Sequence, residues 1–265
     1  MILLANIVAI FRKELQGYFG SPWAYVVAGV FWLLSGAVFF LVLLGESGII
    51  QEVLYNESLG LPLPPVDMPY VFLLRFLGVL GSITLFVMPL LSMGLYAEER
   101  KAHTLELLAT SPLTNWTVAI GKLLGVVTFY ITLLVPVIIL EIITFNAAVP
   151  PLPPRVPLVA HFGLILLATA VLSLGMFISS LTSSSIIAAL ATFVLVIFLT
   201  ALDMLSRRLE QPFQDAIAHL SLLKHYENLV QGICDSSSIV VFVSYIVLGI
   251  FLTAQSIEAF RFERS

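Results

Sequence analysis

Six long apolar stretches are the feature that most constrains the fold of this chain of 265 residues. An α-helix needs roughly 20 mostly apolar residues to cross the ~30 Å hydrocarbon layer of a membrane. Hydrophobic residues make up 60% of the chain and charged residues only 11%, whereas globular proteins carry about 25% charged residues. Since little sequence remains outside these stretches, we predict an integral membrane protein without a soluble catalytic domain.

The predicted fold class is all-α: a polytopic membrane protein with six transmembrane helices, forming a single domain over residues 1–265. The spans are predicted at residues 23–45, 70–96, 118–145, 158–181, 186–202 and 239–260. A charged segment at 98–112 joins the second and third spans. The segment 203–238 has apolar residues at spacings of three and four. This pattern predicts amphipathic helices that lie on the exoplasmic surface of the membrane or dip into the membrane.

The positions of Lys and Arg predict the orientation in the membrane. An even number of spans puts both ends of the chain on one side, and that side carries seven basic residues against five on the other. Its clusters, at Arg12-Lys13, at Arg100-Lys101 and at Arg261 and Arg264, adjoin the ends of spans. Because basic clusters mark the cytoplasmic side, we predict a multi-pass protein of the cytoplasmic (inner) membrane with both termini in the cytoplasm.

Residues 1–21 predict an N-terminal amphipathic helix that lies in the membrane interface. Apolar residues such as Phe11 recur at helical spacing, and Arg12 and Lys13 lie between them. Gly20-Ser21-Pro22 then breaks this helix before the first span, although a first span that simply begins early is the alternative. The basic residues follow the apolar ones, so we expect this segment to be retained and not cleaved as a signal peptide.

The densest charged run, Glu98 to Lys101, is the best functional clue in the sequence. The residues after it that share one face of a short helix are Thr104, Leu107, Leu108 and Ser111. Pro112 ends that helix and starts the next one, with Ser111 as its cap. The pattern predicts a short helix across the cytoplasmic face that another protein contacts from the water side; an ordinary solvated loop is the alternative.

The run from Glu98 to Pro112 (EERKAHTLELLATSP), with Gly121-Lys122 after it, resembles the cytoplasmic signature of ABC-2 type transporter permeases. The resemblance continues through residues 178–182 (ISSLT) and 222–232 (LLKHYENLVQG). It is closest to the permeases grouped with gliding-motility and nitrous-oxide-reductase-maturation exporters.

This resemblance implies a non-catalytic permease subunit of an ATP-driven exporter. Two six-span subunits would pair, the second being another copy or a paralogue, and each would dock a separate ABC ATPase subunit through a cytoplasmic coupling helix. ATP and Mg would bind to the ATPase, and no cofactor is expected in this chain.

The resemblance also implies the residues of the coupling segment, where polar side chains contact the ATPase or anchor the helix. They are Glu98, Glu99, Arg100, His103, Thr104, Leu105, Glu106, Leu107, Leu108 and Ser111. Many family members have glycine just before Thr-Leu-Glu, where this chain has His103. Because histidine is among the non-glycine residues that more readily adopt positive φ, we expect a tight turn to be preserved there.

Three charged residues lie inside the predicted spans. Arg75 and Glu141 have similar depths near the outer ends of the second and third spans. Buried charges are costly in a membrane, so we predict that these two pair, within one subunit or between two; reaching to the outer interface is the alternative. Lys122, near the cytoplasmic end of the third span, is expected to reach anionic lipid headgroups.

Other features are assigned structural roles. The four histidines have no shared ligand spacing, so hydrogen bonding is expected in place of a metal site. The serines between residues 179 and 185 are expected to allow close helix packing. The Pro-rich stretches at 60–70 and 149–157 are predicted to run extended as lids or spacers, with a ligand groove as the alternative.

Function classes other than a permease subunit are less well supported. The chain has neither a Gly-x-Ser-x-Gly elbow nor a phosphate-binding loop, so no hydrolase or ATPase activity is expected. The expected partners include membrane lipids but no nucleic acid. A stand-alone carrier or channel would need polar residues near the membrane midplane, of which there are few. A non-transporting membrane scaffold of an ATP-driven assembly complex stays an alternative.

Overall fold

The computed structural model describes residues 2–59, 67–104, 113–148, 152–206, 211, 214, 217 and 219–262, and its regular structure in these residues is helical. The helices are α1 (Ile2–Gly20), α2 (Pro22–Leu44), α3 (Ile49–Ser58), α4 (Met68–Ser92), α5 (Gly94–Lys101), α6 (Asn115–Ala147), α7 (Arg155–Leu181), α8 (Ser185–Ser206), α9 (Leu222–Val230) and α10 (Ser236–Phe262).

Six helical segments of the described chain are long and apolar enough to cross a membrane: α2, α4 with α5, α6, α7, α8 and α10. The predicted all-α polytopic fold with six transmembrane helices is therefore confirmed. Helix α7 is the most enclosed of these helices. In its most apolar stretch of 18 residues 67% are buried, against 22% for α2 and for α8. The fourth span thus lies at the centre of the bundle, and the first and fifth lie at its periphery.

Helix α1 packs closely against α6 through two glycines that are one helical turn apart. A Cβ atom on Gly121 would lie 2.8 Å from Cβ of Ile10, and one on Gly125 would lie 2.7 Å from Cβ of Glu14. Because glycine has no side chain here, the two helix backbones can approach each other. The predicted break after α1 is present, since α2 begins at Pro22; the location of α1 in the membrane interface stays a prediction.

Helix α9 packs among the spans, and its Tyr226 contacts α4 well inside the N-terminal end of that helix. The hydroxyl of Tyr226 donates a hydrogen bond to the carbonyl of Leu77 at 2.6 Å, and Gly81 leaves the space for its ring. Leu77 is nine residues into α4, about 14 Å along the helix axis. Of the two predicted positions for this amphipathic segment, the contacts of α9 match the one that dips inward.

His225 links α9 to the start of α10. Its Nε2 lies 3.2 Å from the carbonyl of His219 and its Nδ1 lies 3.0 Å from the hydroxyl of Ser238. Since a carbonyl only accepts, Nε2 donates to it, and in the neutral imidazole Nδ1 then accepts from the hydroxyl of Ser238. Burial lowers the pKa of His225 and so favours this neutral form. Both ring nitrogens of His225 are thus used in hydrogen bonds.

Candidate functional site

Helix α5, which carries the charged run, begins where the second span breaks between Ser92 and Gly94. Pro89 inside α4 has no N–H to donate, and Met93, between α4 and α5, has no side-chain capping bond. The hydroxyl of Ser179, from α7, accepts hydrogen bonds from the amides of Tyr96 at 3.1 Å and Ala97 at 3.0 Å. The same hydroxyl donates to the carbonyl of Met93 at 2.8 Å. A buried serine of the fourth span therefore caps the helix that carries the charges.

The four charged residues form the last turn of α5 and point in different directions. Glu98 and Lys101 are exposed, whereas Glu99 and Arg100 are partly buried. Arg100 donates from Nη1 to the carbonyl of Ser180 at 2.8 Å, near the end of α7. Basic residues at a helix C-terminus also interact favourably with the helix dipole. The inward pair thus anchors α5, and the outward pair faces solvent.

Lys122 is held inside the protein at this end of the bundle. Its side chain is only 2% exposed, and Nζ lies 2.9 Å from Oε1 of Glu14 and 3.0 Å from Oε1 of Glu99. Nζ also donates to the carbonyl of Leu95 at 2.8 Å and lies 5.0 Å from the ring centroid of Tyr96. The expectation that Lys122 reaches lipid headgroups was wrong, because carboxylates from α1 and α5 neutralise it within the bundle.

Lys13 completes a cluster with Glu14, Glu99 and Lys122, here called the Lys122 cluster. Its Nζ lies 3.1 Å from Oε1 of Glu99, and its side chain is 67% exposed. Partial burial lowers the pKa of Lys13, but the charges of Glu99 and Glu14 and their hydrogen bonds outweigh it, so the pKa is raised. The cluster carries two positive and two negative groups, and it joins α1, α5 and α6.

The other two predicted residues of the N-terminal helix have different surroundings. Phe11 is partly buried, and its carbonyl oxygen lies 3.5 Å from the position that a Cβ of Gly125 would occupy. Arg12 is exposed. Phe11 therefore faces α6, while Arg12 lies at the surface.

The expected tight turn at His103 is present. His103 has a φ of 56° and is the one non-glycine residue in the described ranges with a positive φ. Its amide donates to the carbonyl of Arg100 at 3.2 Å, and the amide of Thr104 donates to the carbonyl of Glu99 at 3.0 Å. These two bonds define a Schellman motif, in which the left-handed residue is usually glycine. At the end of α9 that residue is Gly232, with a φ of 79°.

The structure describes the coupling segment only as far as Thr104. His103 and Thr104 are exposed and lie beside the exposed Glu98 and Lys101. The remaining predicted coupling residues lie outside the described residues: Leu105, Glu106, Leu107, Leu108 and Ser111. The described part of the segment is thus residues 98–104, which are anchored to α7 and to Lys122. We call these residues the anchored base.

Arg75 and Glu141 have separate partners within the subunit. Nη1 of Arg75 lies 3.0 Å from Oε2 of Glu52, on α3, and both side chains are 45% exposed. Oε2 of Glu141 lies 3.4 Å from Nε2 of His161, on α7. The predicted contact within one subunit was wrong, because α3 and α7 bring nearer partners to the two charges. A contact between subunits stays a prediction.

Sequence reasoning missed Glu14, Ser179 and His161 as partners in these contacts. Lys122 inside an apolar span signalled that a negative group was needed, but nothing in the sequence indicates which carboxylate lies beside it. Ser179 stands among other serines, and the backbone groups that it caps lie more than 80 residues away along the chain. Such long-range contacts depend on how the helices pack.

The fold and the anchored charged run define a polytopic membrane protein with a charged segment between its second and third spans. Residues 5–234 match the ABC-2 type transporter family, so the chain belongs to that family. No curated protein matches the chain. The chain is accordingly a permease subunit of an ABC transporter, a class whose partners are ABC ATPase subunits. A closer likeness to one group of exporters stays a prediction.

Proposed function

We propose that this permease moves its substrate outward across the cytoplasmic membrane, as one half of a dimer coupled to separate ATPase subunits. In this arrangement both termini and the charged run face the cytoplasm, and the second half is another copy or a paralogue. The ATPase binds ATP and Mg and performs the hydrolysis, while the permease itself is not catalytic. The observation that carries the proposal is the anchored base of the coupling segment.

Coupling requires a rigid connection between the docking site and the spans. An ATPase can shift the spans only by as much as its two states differ in their interaction with the permease. Helix α5 is fixed to α7 by Ser179 and by the bond from Arg100 to Ser180. The Lys122 cluster fixes it to α1 and α6. A displacement of the coupling segment would therefore move the second, third and fourth spans together.

The exposed residues at this base suit a protein partner on the water side. Glu98, Lys101, His103 and Thr104 are exposed, while the residues that anchor α5 are turned inward. Contacts of these exposed residues can therefore change during the ATPase cycle while the anchoring residues stay in place. Replacing them would alter docking without removing the anchor.

The docking site is tested by co-purification with the ATPase. Thr104→Pro combined with Leu107→Asp should abolish co-purification, because the proline disrupts the backbone after the turn and the aspartate places a charge on the packing face. Glu57→Pro combined with Leu59→Asp makes the same types of change at the end of α3, on the opposite end of the bundle, and should leave co-purification unchanged. Undiminished binding by the first variant would place the docking site elsewhere.

The direction of transport needs a separate measurement. Sealed inside-out membrane vesicles expose the ATPase to added ATP, so an outward pump would accumulate its substrate inside them. Accumulation only in right-side-out vesicles energised from within would contradict export.

A further inference from the structure

A cleft of about 290 Å³ lies between α6 and α7, far from the Lys122 cluster. Its walls are mostly apolar and include Ile138, Ile142, Phe145 and Leu158. Glu141, which lines it, is 19 residues after Lys122 on the same helix, about 28 Å along its axis. The cleft is therefore separate from the proposed coupling site.

Two titratable side chains in the cleft have unused hydrogen-bonding capacity. Glu141 is 1% exposed, and neither of its carboxylate oxygens has a hydrogen-bond partner among the described residues. Nε2 of His161 also has none, although it lies 3.4 Å from Oε2 of Glu141. Buried polar atoms almost always have hydrogen-bond partners, so this pair needs an explanation.

The hydrogen bond made by Nδ1 of His161 determines which kind of group Glu141 and His161 can bind. Nδ1 of His161 lies 2.9 Å from the carbonyl oxygen of Pro157. A carbonyl can only accept, so Nδ1 carries the hydrogen, and Nε2 of the neutral ring can only accept. An ionised Glu141 also only accepts. With Glu141 ionised, two acceptors therefore face each other and form a site for a hydrogen-bond donor.

The position of the cleft restricts what can bring that donor. Glu141 is six residues from the end of α6 and His161 is six residues from the start of α7, so both lie about 9 Å inside the helix ends. Leu158 and Ile142 in the cleft wall are 70% and 52% exposed, so the cleft opens onto the apolar outer surface of the bundle. A ligand that enters there must combine a donor with an apolar body.

We propose that this cleft binds a protonated primary amine carried on an apolar body, with its ammonium group at Glu141 and His161. An ammonium group has three N–H donors and a charge opposite to that of the carboxylate. A metal ion fits less well, because structural and catalytic zinc sites use three or four protein ligands and the described residues contain no group of three metal-ligating side chains. The amine comes either from a free amphiphile or from a lipid headgroup.

Binding of dodecylamine to the protein in phosphatidylcholine nanodiscs tests this site, after subtraction of its partition into empty nanodiscs. We expect saturable binding that Glu141→Gln weakens at least about tenfold, since the amide carries no charge and itself donates to His161. Glu52→Gln removes a carboxylate outside the cleft and should leave binding unchanged. Dodecyltrimethylammonium, which has the charge but no N–H donor, should bind at least about tenfold more weakly than dodecylamine.

A second variant guards against misfolding of the first. Leu158→Trp fills the mouth of the cleft without altering either polar group, and it should also weaken binding. Adding phosphatidylethanolamine to the nanodiscs identifies the source: competition supports a lipid headgroup, and no competition supports a free amphiphile. Wild-type affinity in Glu141→Gln, or equal affinity for the two dodecyl compounds, would overturn the proposal.

Discussion

Ser179 is the residue on which the junction between α4 and α5 depends most directly. Its hydroxyl satisfies two amides and one carbonyl at the break in the second span. The neighbouring Ser180 is buried to a similar degree, but its hydroxyl donates only to the carbonyl of Phe177 within its own helix. Replacing each of these serines by alanine therefore distinguishes the effect of losing a cap from the effect of losing a buried hydroxyl.

Ser179→Ala should destabilise the protein, and Ser180→Ala should not. An unsatisfied buried polar group costs about 1–3 kcal/mol, so losing a cap shared by three groups should cost at least ~2 kcal/mol. The measurement is the melting temperature in detergent, which should fall by several degrees for Ser179→Ala only. Equal melting temperatures for the two variants would mean that water or another group replaces the cap.

Predictability from sequence differs sharply between individual residues. The turn at His103 could be predicted because backbone preference is local: histidine tolerates positive φ, and the residue stands just after a charged helical turn. The partner of Lys122 could not, because Glu14 is 108 residues away along the chain. Burial of a charge follows from which helices meet, and neither charge nor spacing in one segment contains that information.

At the scale of elements, the predicted spans begin and end within four residues of the helices α2, α4, α6, α7, α8 and α10. Hydrophobic length is a strong signal, since a membrane span requires roughly 20 apolar residues whatever its neighbours are. The break between Ser92 and Gly94 was missed, because the apolar run continues through it. The depth of α9 was left open because an amphipathic pattern indicates a buried face and not what covers it.

The contact between α1 and α6 gives a prediction about a whole helix. Gly125→Leu should push α1 away, because even a Cβ at this position would lie 2.7 Å from Cβ of Glu14 and 3.5 Å from the amide nitrogen of Leu15. With Cys234, the chain's single native cysteine, replaced by serine, a Leu15→Cys probe reports this movement. Its rate of maleimide labelling in detergent should rise several-fold.

Gly78→Leu is the matched control for that experiment. Gly78 also lies in a spanning helix, but a Cβ there would meet nothing within 4 Å. Labelling of Leu15→Cys should be unchanged in this background. An equal labelling rate in the Gly125→Leu and Gly78→Leu backgrounds would show that α1 is held by its other contacts.

At the scale of the whole molecule, the two ends of the bundle have different chemistry. One end holds the Lys122 cluster, where opposite charges compensate each other and join three helices. The other end holds Glu141 on α6 and His161 on α7, whose carboxylate oxygens and Nε2 have no hydrogen-bond partner among the described residues. A cluster whose opposite charges neutralise each other can join helices rigidly, whereas a pair with unused hydrogen-bonding capacity can bind a ligand. We therefore expect substitutions at the two ends to affect different steps of transport.

In the proposed exporter, Lys122→Met should separate docking from coupling. The substitution removes the buried cation from Glu14 and Glu99 and leaves them only the exposed Lys13, and breaking a buried ion pair typically costs about 3–5 kcal/mol. The surface formed by Glu98, Lys101 and Thr104 is unchanged, so the ATPase should still co-purify. Since α5 is then no longer held to α6, and only the exposed Lys13 still links Glu99 to α1, the permease should lose its effect on the rate of ATP hydrolysis.

Lys13→Met is the control, because Lys13 shares the partner Glu99 but is 67% exposed, and exposed pairs contribute only about 0–1 kcal/mol. The measurement is the ATP hydrolysis rate of purified complexes in nanodiscs relative to the ATPase alone, below the melting temperature of each variant. Lys13→Met should behave like the wild type in both docking and hydrolysis. If Lys122→Met also kept the wild-type rate, the Lys122 cluster would stabilise the fold without transmitting the movement, which would then pass from the second span to the fourth through Ser179 and Arg100.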